Sequence, residues 1–375
     1  MLVFTWVFAQ LFFERETADL MTSVSEKFNP PNSVGQKDEL HLVNAFSPDS
    51  LDPNVLEFNS RKGMVNIFEG LVALDRDLNV QPALALSWGL IDDFTWEFEL
   101  RKGVKFHDGS KFEVDDVLAS LDRAREHEKS ELKDILQNIA SYERIDDFSL
   151  RIKTKNPDPL LLQKLANVYI LPSELAVKDF ERPIGTGPYK LKVWLPGQLL
   201  EYTRFASYWA GKANYHSVRL SSFSDLVERV ETFRSGEADF LADVPYVAVD
   251  MLLEEGLEVV ALPSLEVQFL LFNLDSKEFS KKGNREAFSA AIDQDAFADF
   301  VGEYAKPVNQ FVSNGVFGFN PRIREHEYDL EKAISLAEES GFEGETIHFH
   351  LPIGLDGLGE HVRTQLSELG VKVVV

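Results

Sequence analysis

Cysteine is absent from all 375 residues. That absence removes disulfides, thiolate zinc and iron–sulfur sites, thiol nucleophiles and a cysteine-linked lipid anchor. Basic residues are scarce beside acidic ones: 38 Lys and Arg against 62 Asp and Glu give a formal charge of -24. A surface of that sign repels phosphate backbones, and no basic stripe reverses it locally, so the sequence predicts no nucleic-acid partner. Long apolar runs are missing too. Leu2 to Phe13, apolar apart from Thr5 and Gln10, is the only membrane-like stretch and is shorter than the ~20 residues of a spanning helix. It lacks the basic start and small-residue cleavage site of a secretory signal. It is expected to be a truncated signal or anchor, followed by a linker with Pro30, Pro31 and Gly35, together residues 1–37. No internal repeat, phosphate-binding glycine loop, nucleophile elbow or zinc-protease helix is found.

What is present is enough apolar material for a large core: 44% hydrophobic residues, 29 of them phenylalanine, over a length that suits two or three domains. Glu39–Val43 reads as a strand and Met64–Leu74 as a short helix. Trp96, Phe98 and Leu100 alternate with Glu97, Glu99 and Arg101, as do Phe148, Leu150 and Ile152 with polar neighbours, so both segments are half-buried strands. Gly103–Gly109 continues as strand and turn, and Glu113–Arg125 carries Val114, Val117, Leu118 and Leu121 on one helical side. Beyond the turn Gly185-Thr186-Gly187-Pro188, strands are expected at Tyr189–Leu191 and Leu199–Arg204, a helix at Leu226–Arg234 and a buried strand at Ala238–Asp243. Val267–Asn273 is nearly all apolar, the pattern of a strand covered on both faces. Phe288, Ala291 and Ile292 mark one helix, and Asp295 is expected to cap a second that carries Phe297, Phe300 and Val301 towards the core. Helix, strand, helix and strand then follow at Leu330–Ser340, Thr346–Leu351, Glu360–Leu369 and Val371–Val375.

Catalytic patterns are thin. His107-Asp108 is the most enzyme-like pair, since a carboxylate orients an imidazole for general-base work. Adjacent strand residues face opposite ways, however, and Asp-Gly favours a turn, so a structural role is expected. His348 and His350 share one strand face without a third ligand, which reads as ordinary exposed histidines, so no metal site is expected. Asp115-Asp116 reads as the acidic first turn of a helix.

Several motifs occur in a fixed order: Ser50-Leu51-Asp52-Pro53, Ile67-Phe68-Glu69-Gly70-Leu71, Gln81-Pro82-Ala83-Leu84-Ala85, Trp88, Trp96 to Gly109, and Asp115-Asp116-Val117. Gly185-Thr186-Gly187-Pro188-Tyr189, Tyr208-Trp209, Phe272-Asn273 and Arg285-Glu286-Ala287-Phe288 come after them. Across about residues 39–375 the series resembles the oligopeptide-, dipeptide- and nickel-binding class of substrate-binding proteins that serve ABC importers. The resemblance implies a mixed α/β, bilobal periplasmic-binding-protein-like fold with an extra α+β domain inserted in the first lobe. The first lobe would be 38–54 plus 171–262, the inserted domain 55–170 and a second, incomplete lobe 263–375.

The resemblance also implies the function: non-catalytic capture of a peptide-like solute between two lobes, outside the cytoplasmic membrane, by a monomer that delivers it to membrane permease subunits without a cofactor. By position it places ligand contacts at Glu57, Phe58, Ala242, Asp243, Val244 and Asn273. Two alternatives stay open on the residues alone. One is a hydrolase of peptides or glycans, marked by two inward carboxylates in a cleft; the other is a ligand-sensing regulatory protein that reuses the fold.

Overall fold

The computed structural model describes residues 2–5, 38–176, 182–261, 264–323, 327–351 and 356–375. The first part of the chain holds β1 (Leu2–Thr5), β2 (Glu39–Asn44), α1 (Phe58–Met64), β3 (Val72–Leu74), β4 (Val80–Pro82), β5 (Ala85–Asp92), β6 (Thr95–Leu100), α2 (Val114–Glu126), β7 (Ile139–Asp146), β8 (Ser149–Thr154) and α3 (Leu161–Leu165). Then come β9 (Tyr189–Leu195), β10 (Leu199–Arg204), β11 (Ser217–Ser222), α4 (Leu226–Arg234) and β12 (Phe240–Leu241). After Asp243 the chain passes into a second compact unit. That unit contains α5 (Val249–Glu254), β13 (Glu258–Ala261), α6 (Lys282–Ala291), α7 (Gln294–Val301), α8 (Leu330–Ser340), β14 (Thr346–His348), α9 (Asp356–Ser367) and β15 (Lys372–Val374). Of the apolar N-terminal stretch, only Leu2–Thr5 is described, as a strand parallel to β12. The signal or anchor expected over Leu2–Phe13 otherwise lies outside the described residues.

The main sheet of the first unit runs β1-β12-β2-β11-β10-β9. β12 and β11 both lie parallel to β2, pairing Phe240 and Leu220 with Leu42. β10 and β9 complete the sheet as an antiparallel hairpin. Parallel strands need crossover connections, and here one crossover contains α4. A second, antiparallel sheet, β5-β6-β8-β7, is built from the alternating segments. Phe98 faces Leu150, and the buried side of this sheet packs on Val114, Val117 and Leu121 of α2.

Three contacts weld these parts together, and all three use the ordered motifs. The Arg123 guanidinium, buried on α2, makes a bidentate pair with Asp52, both N–O distances 2.8 Å. The half-buried Glu69 carboxylate accepts from the Thr186 hydroxyl at 2.7 Å, the Tyr208 hydroxyl at 2.9 Å and the Trp209 ring N–H at 2.9 Å. Burial pushes the Glu69 carboxyl up, and these donors offset only part of the rise. Gly185 and Gly187 pass so close to the chain before Glu69 that a Cβ on Gly185 would stand 2.0 Å from the Ile67 carbonyl oxygen. One on Gly187 would stand 2.5 Å from that of Asn66. His107 closes the same junction: Nε2 donates to the Gly187 carbonyl at 2.9 Å, and Nδ1 accepts from the Gly185 N–H at 3.4 Å.

Four expectations need correction. The helix placed at Met64–Leu74 runs instead from Phe58 to Met64. Its start is fixed by Glu57, whose carboxylate accepts from the Asn59 and Ser60 N–H groups. Gly103–Gly109 forms turns, with only an isolated bridge between Lys105 and Lys111, because the chain turns back through Gly109 at φ 92°. The second short helix is capped by Asp293 rather than Asp295, and Phe300 is 42% exposed while Phe297 packs on the core. Val267–Asn273 is not a described strand, and Leu271 is 85% exposed. Among the described residues no strand pairs with it, and an apolar run records a tendency to be covered without supplying the cover.

Two outcomes follow from the weld. Gly185→Ala should cost about 3 kcal/mol in urea unfolding, because a carbonyl of a packed segment must give way. Gly89→Ala, where a Cβ meets nothing within 4 Å, should stay within about 0.5 kcal/mol; equal costs would contradict the close-approach account. Burial chiefly holds the His107 imidazole down, to about 4 against an ordinary 6.5. Within that window the unfolded chain takes up a proton that the native one refuses, so stability falls as pH drops from about 6.5 to about 4. Replacing His107 by Gln should flatten unfolding free energy against pH across that window.

Candidate functional site

In open α/β sheets the strand ends that carry ligands are the carboxyl ends of parallel strands, where chains leave the sheet in diverging directions. Here β12, β2 and β11 end side by side. Their ends are tied together: the Ala242 N–H donates to the Val43 carbonyl at 2.8 Å, and the Ser222 hydroxyl donates to the Asn44 side-chain oxygen at 2.7 Å. Helix α1 brings a third set of groups to this edge. Burial raises the Glu57 carboxyl, but the N–H groups of Asn59 and Ser60 outweigh it and hold the group below its usual range.

Of the residues singled out in the sequence, Phe58 and Asp243 are brought together through a residue the sequence reading missed, Lys62, while Glu57 caps the start of the same helix. Its ammonium sits 4.5 Å from the centre of the Phe58 ring and 3.0 Å from Asp243 Oδ1. Phe58 is half exposed. Asp243 adopts φ 53°, in the left-handed region that Asp tolerates better than most residues. Its Oδ2 is buried without a hydrogen-bond partner. Ala242 and Val244 are both buried. Asn273 belongs to the second unit, where its side-chain oxygen accepts from the Asp275 N–H at 3.1 Å in a local turn. The signal for Lys62 was its place four residues after Phe58, which a helix placed at Met64–Leu74 concealed.

Beside this cluster lies a cavity of about 420 Å³, lined by Phe46, Ser47, Asp49, Asn59, Ser222 and Glu228 among others. It lies within the lower half of the ~300–1,000 Å³ span of small-molecule sites. None of these residues was singled out from sequence, because they come from three segments that meet only in the fold.

The enzyme-like patterns lead elsewhere. His107 is a neutral structural imidazole with both ring nitrogens engaged by Gly185 and Gly187, and Asp108 accepts from the Ser110 N–H in the adjoining turn. His348 and His350 are exposed, and among the described residues no group of three or more metal-ligating side chains is assembled.

Comparison with known proteins fits this architecture. The model of bacterial extracellular solute-binding proteins, family 5, matches residues 79–375. The glutathione-binding protein GsiB of Salmonella choleraesuis is 32% identical over 290 residues, which is 74% of this chain and 56% of the relative. The chain therefore spans little more than half the length of that curated relative. Among solved structures, the periplasmic binding protein DppA of Helicobacter pylori, in complex with the peptide STSA, is 25% identical with a TM-score of 0.76. The alignment covers 90% of this chain and 73% of that one. MoaA of A. tumefaciens R10, in complex with mannopinic acid, is 26% identical with a TM-score of 0.80 over the same shares. The fold is thus that of periplasmic binding proteins, and the chain belongs to family 5 of the bacterial extracellular solute-binding proteins.

Proposed function

We propose that the protein captures a peptide-like solute at the carboxyl edge of β12, β2 and β11 and delivers it unchanged to the permease subunits of an ABC importer. It acts as a monomer outside the cytoplasmic membrane. The observation that carries this reading is the composition of the edge: a Lys62 ammonium, an unpartnered Asp243 oxygen, a half-exposed Phe58 ring and the backbone of Ala242 and Val244. Such a set offers donors, acceptors and an apolar face to a peptide backbone without the activated nucleophile that bond cleavage needs. Glu57, Phe58, Ala242, Asp243, Val244 and Asn273 are its proposed contacts. The relatives support the solute class, since one is named for glutathione and another holds a tetrapeptide. On the same reading, 38–54 plus 171–262 and 263–375 are the lobes and 55–170 the inserted domain, although compactness alone divides the chain earlier, after Asp243.

Thermal unfolding in the presence of glutathione, the tetrapeptide STSA and mannopinic acid tests the proposal. At least one peptide should raise the midpoint, by the equivalent of about 2.7 kcal/mol at a hundredfold excess over Kd. Lys62→Ala should weaken that peptide about tenfold, while shifting the ligand-free stability by under about 1 kcal/mol. A panel that leaves the midpoint unmoved at millimolar concentration would overturn the proposal.

A further inference from the structure

In the second unit, the loop from Gln310 to Asn320 is closed at its base by one side chain. The Gln310 amide donates to the Asn320 carbonyl at 3.0 Å and accepts from the Asn320 N–H at 2.9 Å. Inside the loop the Val316 N–H donates to the Ser313 carbonyl at 3.1 Å, and Gly315 adopts φ 86°. Asn314 is not among the described residues with positive φ, so Ser313 to Val316 is a type II turn with glycine at its third position. One corner is held: the Ser313 hydroxyl donates to the Leu265 carbonyl at 2.8 Å. The two central residues, Asn314 and Gly315, are both exposed. Among the described residues neither the Asn314 side chain nor the Gly315 N–H has a hydrogen-bond partner.

Asparagine stands before glycine once in the sequence, at this turn. Glycine carries no Cβ, so nothing on residue 315 screens its nitrogen from the Asn314 carboxamide. A bonded N–H would first have to give up its partner, and this one has none to lose. We infer that Asn314 is a site of self-modification, deamidating through a cyclic imide. The Gly315 nitrogen bonds to Asn314 Cγ as the Cγ–Nδ2 bond breaks, and the proton it gives up leaves with the nitrogen as ammonia. Water then opens the five-membered imide. Addition at Cγ leaves aspartate. Addition at the backbone carbonyl carbon of residue 314 leaves isoaspartate, whose chain runs through Cβ and Cγ. Neither step oxidises or reduces anything. Either product adds a negative charge to a loop that carries the exposed rings of Phe311 and Phe317. Isoaspartate also lengthens the backbone by one carbon between Ser313, tied to Leu265, and Val316, which opens the turn. The inference does not depend on the solute-capture reading.

The full chain and a synthetic peptide of residues 310–320 are incubated side by side in mildly alkaline buffer, well below the unfolding midpoint. Samples are digested and read by mass spectrometry with fragmentation that tells isoaspartate from aspartate. Asn314 in the folded chain should convert within about tenfold of the peptide's rate, because the turn leaves both reacting groups free. Other described asparagines, each followed by a residue with a Cβ, should convert at least about tenfold more slowly. Both isoaspartate and aspartate should form, with one ammonia released per converted chain. Gly315→Ala should slow conversion about tenfold in chain and peptide alike; the peptide has no fold to disturb and so keeps that comparison clean. Conversion in the folded chain slower than the peptide's by more than about tenfold would mean that the turn shields Asn314, and would overturn the inference. Aspartate without isoaspartate, which marks direct hydrolysis, or an unchanged rate in the Gly315→Ala peptide would overturn it too.

Discussion

The close passage of Gly185-Thr186-Gly187 against Asn66 and Ile67 is the constraint on which the first unit depends. Backbone meets backbone there with no room for a Cβ, and Thr186, between the glycines, reaches the half-buried Glu69 carboxylate. A carboxylate withdrawn from water is costly unless donors surround it, and Thr186, Tyr208 and Trp209 supply three from two stretches of chain. The Arg101 guanidinium stacks over the Trp209 ring at 4.1 Å and brings the antiparallel sheet into the same knot. His107 completes it as a neutral imidazole that both gives and accepts a hydrogen bond.

The consequence for the site is positional. Helix α1 ends at Met64, immediately before the segment held by the two glycines, and Tyr202 of β10 donates to the Gly63 carbonyl at 2.8 Å. Fixing the carboxyl end of α1 fixes where its amino end, with Glu57, Phe58 and Asn59, meets the strand ends. The ordered motifs of the sequence are therefore mostly framework: they hold the edge at which a solute is proposed to bind rather than touch the solute themselves.

Strands with one wet face were legible in the sequence because period two is a local property; Trp96 to Leu100 and Phe148 to Ile152 are examples. Helix α2 was legible for the same reason, through Val114, Val117 and Leu121. Caps were harder. Asp293 and Asp295 both suit an N-cap by type, and only the backbone geometry chooses Asp293, which accepts from the Asp295 and Ala296 N–H groups. The proposed ligand contacts at Glu57, Phe58 and Asp243 were placed by family position alone. Lys62, Asp49 and Glu228 escaped because charged surface residues carry no local pattern that distinguishes a site from a solvated face. Val267–Asn273 shows the opposite limit: its composition called for cover, and composition says nothing of where cover lies.

The central claim is that the carboxyl edge of β12, β2 and β11 holds a solute without altering it. A crystal structure grown with a tetrapeptide, combined with mass spectrometry of the dissolved crystals, tests it most directly. The account predicts intact peptide, with polar contacts to Lys62, Asp243 or the backbone at Ala242 to Val244. Cleaved peptide, or intact peptide bound away from that edge, would contradict it.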